Sequence, residues 1–287
     1  MNQRTAGIVH ATLLTTDIAA ASAAYVEQLG LQRGRREHLC DADAVRLDLP
    51  DLALHPVQWL TNADGLEILR LIEDPAAAPA RPMFHHGWMS LEILVGDIDA
   101  LAARLRPPFQ VLGAPANLDF SDAIRAAQVL GPCGELLYLT QVKAPVPPFD
   151  LPLTDAEVAF SFIGVTATPS RDASHAAWKT LLDASGWSME TRITVLNRAH
   201  GKPLEDRYPI AVVPMPGQCM VEIDQVELAD ATPAQRCTGL HSLALRLPQA
   251  VPARLAQAGW RVVDAGGCGW RGIASEHIEL LGEPLQD

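Results

Sequence analysis

The sequence predicts an α+β protein built from four βαβββ modules that pair into two half-barrel clefts. Three observations predict it. A strand-like segment that leads into a short helix recurs four times. A proline-rich stretch divides the chain into halves of similar length, each holding two repeats. Short apolar runs of strand character follow each helix. A repeat of this kind dictates the architecture before any single motif does, because each unit needs a partner to bury its open face.

In the first repeat, Ile8-Val9-His10-Ala11-Thr12-Leu13-Leu14 runs into Asp17-Ile18 and an alanine-rich helix. Asp17 suits the N-cap, where a carboxylate accepts from the free amides of the first turn. Ile18, Ala21, Tyr25, Val26 and Leu29 fall on one helical stripe, and Gly30 suits a left-handed stop. Strands are expected near 31–38, 43–49 and 65–72. The second repeat runs from Leu91-Glu92-Ile93-Leu94-Val95 into Asp97 and a helix over 100–105. The third runs from Phe162-Ile163-Gly164-Val165-Thr166-Ala167-Thr168 into a helix that stops near Ser185-Gly186-Trp187. The fourth predicts a strand over 240–247, a helix over 250–258 that stops at Gly259-Trp260, and strands over 260–265, 271–274 and 276–281. Between the halves, 145–152 holds four prolines in eight residues, which favours an extended spacer. The expected organisation is therefore a half of two modules over 1–143, a linker over 144–155 and a second half over 156–287.

The bulk properties narrow the function. A chain of 287 residues that is 48% hydrophobic has enough apolar material for about two ordinary domains. A formal charge of -12 argues against nucleic acid and anionic membrane surfaces, which require clustered Lys and Arg. No apolar run is long enough to span a bilayer, and the N-terminal residues lack the apolar core of a secretion signal. Five scattered cysteines without a CxxC pair read as reduced thiols in a cytoplasmic protein. Four modules in one chain complete their own clefts, so a monomer or homodimer with a small-molecule substrate is expected.

A βαβββ unit covers one sheet face with its helix and leaves the other concave, and two units side by side enclose a cleft. The first and last strands of a unit lie together, so a polar residue on each points into that cleft. In register, unit one offers His10 and Glu67, unit two Ser90 and Tyr138, unit three Gly164 and Glu222, and unit four His241 and Glu279. If unit one pairs with unit four, two imidazoles and two carboxylates share a cleft. Such a set suits Zn²⁺, Ni²⁺, Mn²⁺, Fe²⁺ or Co²⁺ with open positions for substrate. If unit one pairs with unit two, His10 and Glu67 are separated from Glu222, His241 and Glu279. Arg70 takes the place of Glu67 if the strand register differs by three, and an arginine there forbids a ligand.

Gly7-Ile8-Val9-His10 with Asp17, Gly239-Leu240-His241 and Glu279-Leu280-Leu281 resemble the vicinal oxygen chelate superfamily, which includes glyoxalase I, extradiol dioxygenases and bleomycin- and fosfomycin-resistance proteins. The resemblance covers nearly the whole chain as four modules. It implies metal ligands at His10, Glu67, His241 and Glu279, with module one paired to module four as in some single-chain members. It further implies a metal-dependent lyase or isomerase acting on vicinal oxygens, in which Glu67 or Glu279 moves a proton. Tyr138 is the candidate substrate contact. The segment Gly131-Pro132-Cys133-Gly134-Glu135-Leu136-Leu137-Tyr138 resembles the outline of the extradiol signature, with Tyr138 where a Glu ligand is expected. A ring-cleaving dioxygenase and a non-catalytic resistance-type binding protein are the alternatives.

Simpler roles compete for several residues. Glu222 reads best as a solvated edge residue, and His85-His86 as surface. Gly267-Cys268-Gly269-Trp270-Arg271-Gly272 formally matches a dinucleotide-binding pattern, but no helix follows it and it reads as a hairpin loop.

Overall fold

Each repeat folds as strand, helix and three strands in the computed structural model, which describes residues 3–228, 235–247, 251–264 and 266–282. Module one contains β1 (Gly7–Thr15), α1 (Ile18–Ala24), β2 (Gln32–His38), an inserted α2 (Asp41–Arg46), β3 (Pro56–Thr61) and β4 (Glu67–Glu73). Module two contains β5 (Gly87–Val95), α3 (Ile98–Arg104), β6 (Gln110–Leu118), β7 (Ser121–Leu130) and β8 (Leu136–Val142). Module three contains β9 (Val158–Thr168), α4 (Arg171–Leu182), β10 (Trp187–Arg192), an inserted α5 (Thr194–Ala199), β11 (Arg207–Met215) and β12 (Cys219–Gln225). Module four contains β13 (Gly239–Arg246), α6 (Val251–Gln257), β14 (Arg261–Val262), β15 (Gly269–Arg271) and β16 (His277–Leu280).

The same local chemistry starts three of the helices. Asp17 accepts from the Ala20 amide, Asp97 from the Ala100 amide and Ser170 from the Ala173 amide, each closing an otherwise bare first turn. Helix α1 ends in a wider turn over Tyr25–Leu29, and Gly30 closes it at φ 74°. Two sequence expectations fail here. The strand near 43–49 is instead α2 and a turn. Asp41 and Asp43 favour a first helical turn, and Ala44 and Leu47, three apart, face inward. The third strand of module one is β3, which begins at Pro56. Helix α4 also stops early, at Leu182, because Asp183 takes the left-handed conformation at φ 51°. The start of the helix expected over 250–258 and the end of the strand expected over 260–265 lie outside the described residues.

The strands form two eight-stranded sheets, ordered β14-β15-β16-β13-β1-β4-β3-β2 and β10-β11-β12-β9-β5-β8-β7-β6. Module one pairs with module four, and module two with module three. In every module the first strand runs parallel to the last. The first strands of paired modules join antiparallel, β1 to β13 and β5 to β9. Each sheet thus takes one module from either side of the linker. The halves 1–143 and 156–287 are units of sequence repetition and not two separately packed sheets.

The sheets pack back to back through one continuous core. Gly164 sits at a close approach of the two sheets, where a Cβ would lie 2.4 Å from Leu243 of the other sheet and 2.9 Å from the Trp88 ring. The Trp88 indole donates to the His277 carbonyl at 2.7 Å. Two further links tie the sheets together. Tyr25 of module one hydrogen-bonds Glu135 of module two. Trp178 of module three donates to Glu276 of module four at 3.1 Å. Both carboxyls are buried, and burial pushes each up to about 7. Gly164 is therefore a packing position, and its expected role as a counterpart of His10 has no basis in the fold. Gly164→Val should destabilise the chain by about 1–3 kcal/mol through overpacking. At this chain length that lowers Tm by about 2–5 °C, measurable in a thermal melt.

Candidate functional site

Register fixes the concave face of the module one and four sheet. Thr12 on β1 stands beside Arg70 on β4 and Ser242 on β13. Arg70 stands beside Trp59 on β3, and Glu279 on β16 beside Ala244 on β13. At the centre lies the Arg70 guanidinium, which is buried. Its Nε and Nη2 donate to Thr12 Oγ1 at 3.0 and 2.7 Å. Nη2 also donates to Glu279 Oε1, and the two side chains form a buried ion pair. Ser242 Oγ donates to the same Glu279 oxygen at 3.4 Å, while Glu279 Oε2 has no hydrogen-bond partner.

His10 is 3% exposed, and neither of its ring nitrogens has a partner. Its ring meets Trp59 edge-on, 4.7 Å between centroids. Burial, followed by the charges of Arg70, Arg35 and Arg246, pushes the imidazole well below its usual range, so it stays neutral. Every charge that shifts it is positive, so the potential at this ring favours an electron-rich ligand atom.

The expected metal quartet does not assemble. His10 and Glu279 face the cleft, but Arg70 stands at the position expected for the carboxylate of module one. Glu67 accepts from Arg35 Nε at 2.9 Å and from Gln3 Nε2 at 3.0 Å. Arg35 lies over Trp59, 4.2 Å from the ring centroid. His241 is engaged elsewhere. Its Nε2 meets the Leu47 carbonyl at 2.8 Å, and its ring stacks on His277 at 5.4 Å. Burial pushes His241 down to about 4. Among the described residues no three His, Cys, Asp or Glu side chains lie close enough to share a metal ion. A guanidinium already paired with one of the two remaining donors repels a divalent cation, so the residues present do not fit the metal that the fold implies.

The α2 insertion covers part of this face. Leu39, Ala44, Leu47, Leu49 and Leu52 pack on Leu14, Val57, Trp59 and Ile72 in a small core of their own. Beside it opens a cavity of about 580 Å³ whose walls include Asp48, Arg81, His85, His86, His241 and Arg271. His86 also bonds the Val226 carbonyl at 2.9 Å. Of the segment 267–272, Gly267 and Cys268 precede β15 and Gly269–Arg271 form that strand, so the segment is only in part the hairpin loop its sequence suggested.

In the module two and three cleft, Tyr138 on β8 stands beside Glu92 on β5. Glu222 lies on β12, an interior strand, so it is not the solvated edge residue its sequence suggested. It hydrogen-bonds Asp224, two residues on in the same strand, and shares a face with Glu92 of β5, and all three carboxyls are pushed up by burial. The signal for this cluster was present in the sequence as Glu92, a single acid in an otherwise apolar strand, and as Glu222 and Asp224, two acids at alternate positions of one strand.

No protein-family model and no curated protein matches the sequence. Solved structures do match. Glyoxalase I from Zea mays superposes with a TM-score of 0.65 at 11% identity, over 96% of this chain and 92% of that one. A putative dioxygenase from Bacillus subtilis subsp. subtilis str. 168 superposes with a TM-score of 0.64 at 12% identity, over 98% and 86%. The chain has the vicinal oxygen chelate fold. At these identities the likeness concerns the scaffold, and a glyoxalase and a putative dioxygenase alike are built on it. No helix among the described residues is long and apolar enough to cross a membrane.

The depressed histidine gives a pH signature. A group held neutral in the native state but free to take a proton in the unfolded chain stabilises above about pH 6.5, and that contribution is lost as pH falls. His241 should contribute a slope of about 1.4 kcal/mol per pH unit as pH drops from about 6.5 toward 4. Denaturant titrations of His241→Gln across that window should show the slope reduced by this amount.

Proposed function

We propose that this chain is a small-molecule-binding protein on the vicinal oxygen chelate fold that works without a divalent metal in its module one and four cleft. Its ligand carries a carbonyl or carboxylate oxygen, held against neutral His10 and the Arg70 guanidinium. The observation that carries this reading is the Arg70 link to Thr12 and Glu279, which fills the position where metal donors would converge. The metal-dependent lyase or isomerase, with Glu67 and Glu279 as bases, and the iron-dependent ring-cleaving dioxygenase both need donors that this cleft does not bring together.

A second reading, proton-transfer catalysis, rests on a specific feature of the same cleft. His10 and Glu279 Oε2 are unpartnered and can accept a proton, while Arg70 stabilises negative charge developing on a substrate oxygen. The isomerase or lyase step anticipated from the resemblance then keeps its form, with a guanidinium in place of the Lewis acid. A neutral imidazole so far below its usual range is a weak base and a good hydrogen-bond donor, which favours polarisation of the oxygen by His10 and proton removal by Glu279.

Metal titration separates these readings from the metal-dependent one. The purified protein should hold no stoichiometric Zn²⁺, Ni²⁺, Mn²⁺, Fe²⁺ or Co²⁺ and should show no saturable rise in Tm with any of them. Arg70→Glu should create the missing donor and gain about 2.7 kcal/mol of stability at a metal concentration one hundred times Kd. One equivalent of bound metal in the unaltered protein, lost in both His10→Ala and Glu279→Gln, overturns the proposal. Oxygen uptake with catechol should be absent, and its presence returns the dioxygenase.

A further inference from the structure

We propose that the module two and three cleft is a second ligand site, one that takes a linear organic dication such as an alkyl diamine between Glu92 on one side and Glu222 with Asp224 on the other. This goes beyond the function proposed above and rests on different residues. Glu92 and Tyr138 stand side by side on β5 and β8. Glu222 stands beside Val165 of β9, and Asp224 beside Ala167. Ser90 and Glu92 stand beside Val165 and Ile163 of the same β9. The pleat therefore sends Ser90, Glu92, Tyr138, Glu222 and Asp224 to one face. The alternate residues Leu91, Ile93, Leu137, Val221 and Ile223 go to the buried back of the sheet.

Two kinds of observation point to a missing cation. The first is charge. The charged groups that act on Glu92, Glu222, Asp224 and Tyr138 are carboxylates in every case. Burying like charges together without a counter-ion is costly. The second is unmet hydrogen bonding. Ser90 Oγ and Asp224 Oδ1 are fully or almost fully buried and have no partner. The tyrosine walls, Tyr138 on β8 and Tyr208 on β11, complete the titratable groups that sense this cluster.

Spacing selects the ligand. Glu92 on β5 and the Glu222–Asp224 pair on β12 are carried by strands two apart, with β9 between them, whose backbones run about 10 Å from each other. No three of the described acids are close enough to share a metal ion. Two carboxyl centres held on separate strands in this way match a ligand with two ammonium ends joined by an apolar chain. The Tyr138 ring lies beside Glu92, where it can cover that chain. Burial and the charge of Glu222 push Glu92 up to about 8, so it keeps a proton in the empty site. A dication seated there draws that proton off, and binding releases protons to the buffer.

The test is calorimetric titration of the full chain with 1,4-diaminobutane at pH 7.5, repeated in buffers of different ionisation enthalpy. Saturable binding, proton release and a raised Tm are expected. Glu92→Gln and Glu222→Gln should each weaken binding by about tenfold or more. Both variants remove repulsion among buried acids and should fold. Glu92→Gln should raise Tm near pH 8, where the native carboxyl resists ionisation, and the gain should vanish below about pH 3.5, where unfolded and native forms are both protonated. Absence of binding at millimolar diamine, equal binding in both variants, or displacement of the diamine by Mg²⁺ or Ca²⁺ alone overturns the proposal. Failure here leaves the Arg70 cleft untouched, since the two sites share no residue.

Discussion

Two antiparallel joins, β1 to β13 and β5 to β9, govern the rest of the structure. They set which modules share a sheet, and so which polar side chains share a cleft. Because both joins connect first strands, each sheet has two first strands at its centre with a last strand on either flank. The four central strands of each sheet carry His10, Thr12, Arg70, Ser242 and Glu279 in one cleft and Ser90, Glu92, Tyr138, Glu222 and Asp224 in the other. On their opposite faces the same strands carry leucine, isoleucine and valine that lock the sheets together. A one-residue slip in either join would exchange these faces.

From one topology the chain makes two clefts of opposite electrical character. Arginines surround His10 in the first, and carboxylates without a counter-ion gather near Tyr138 in the second. The fold demands neither arrangement. A guanidinium on β4 and acids on β5 and β12 are single-residue choices at positions whose geometry the scaffold already supplies, which is how one architecture carries unrelated chemistries.

The fold was largely legible in the sequence because its signals are local. Asp17 and Asp97 mark helix starts, Gly30 a helix stop, and the recurrence itself gives the modules and the adjacency of first and last strands. The pairing of module one with module four was legible only through the family resemblance, since it depends on contacts more than two hundred residues apart that no local pattern encodes. The site was read only in part. His10 and Glu279 were found, but Glu67 and Arg70 lie three apart on one strand, and an extra residue in β4 between Glu67 and Leu69 makes counting from the strand end unreliable. Ser242, not its neighbour His241, stands opposite Thr12, again beside a register shift. The 43–49 segment misled because alternating apolar residues there cover the cleft from a helix and turn instead of joining the sheet.

The joins also have a consequence for how the polypeptide is made. Module one leaves the ribosome first, yet the strand that completes its sheet belongs to the last module to be synthesised. Until then β1 presents an unpaired edge, a hazard in any nascent chain. Modules two and three, adjacent in sequence, can close their sheet much earlier. The Tyr25 hydroxyl on Glu135 then gives the waiting first module a place to dock. The adjacency of modules two and three in sequence favours assembly from the middle outward, since shorter loops close at lower entropic cost.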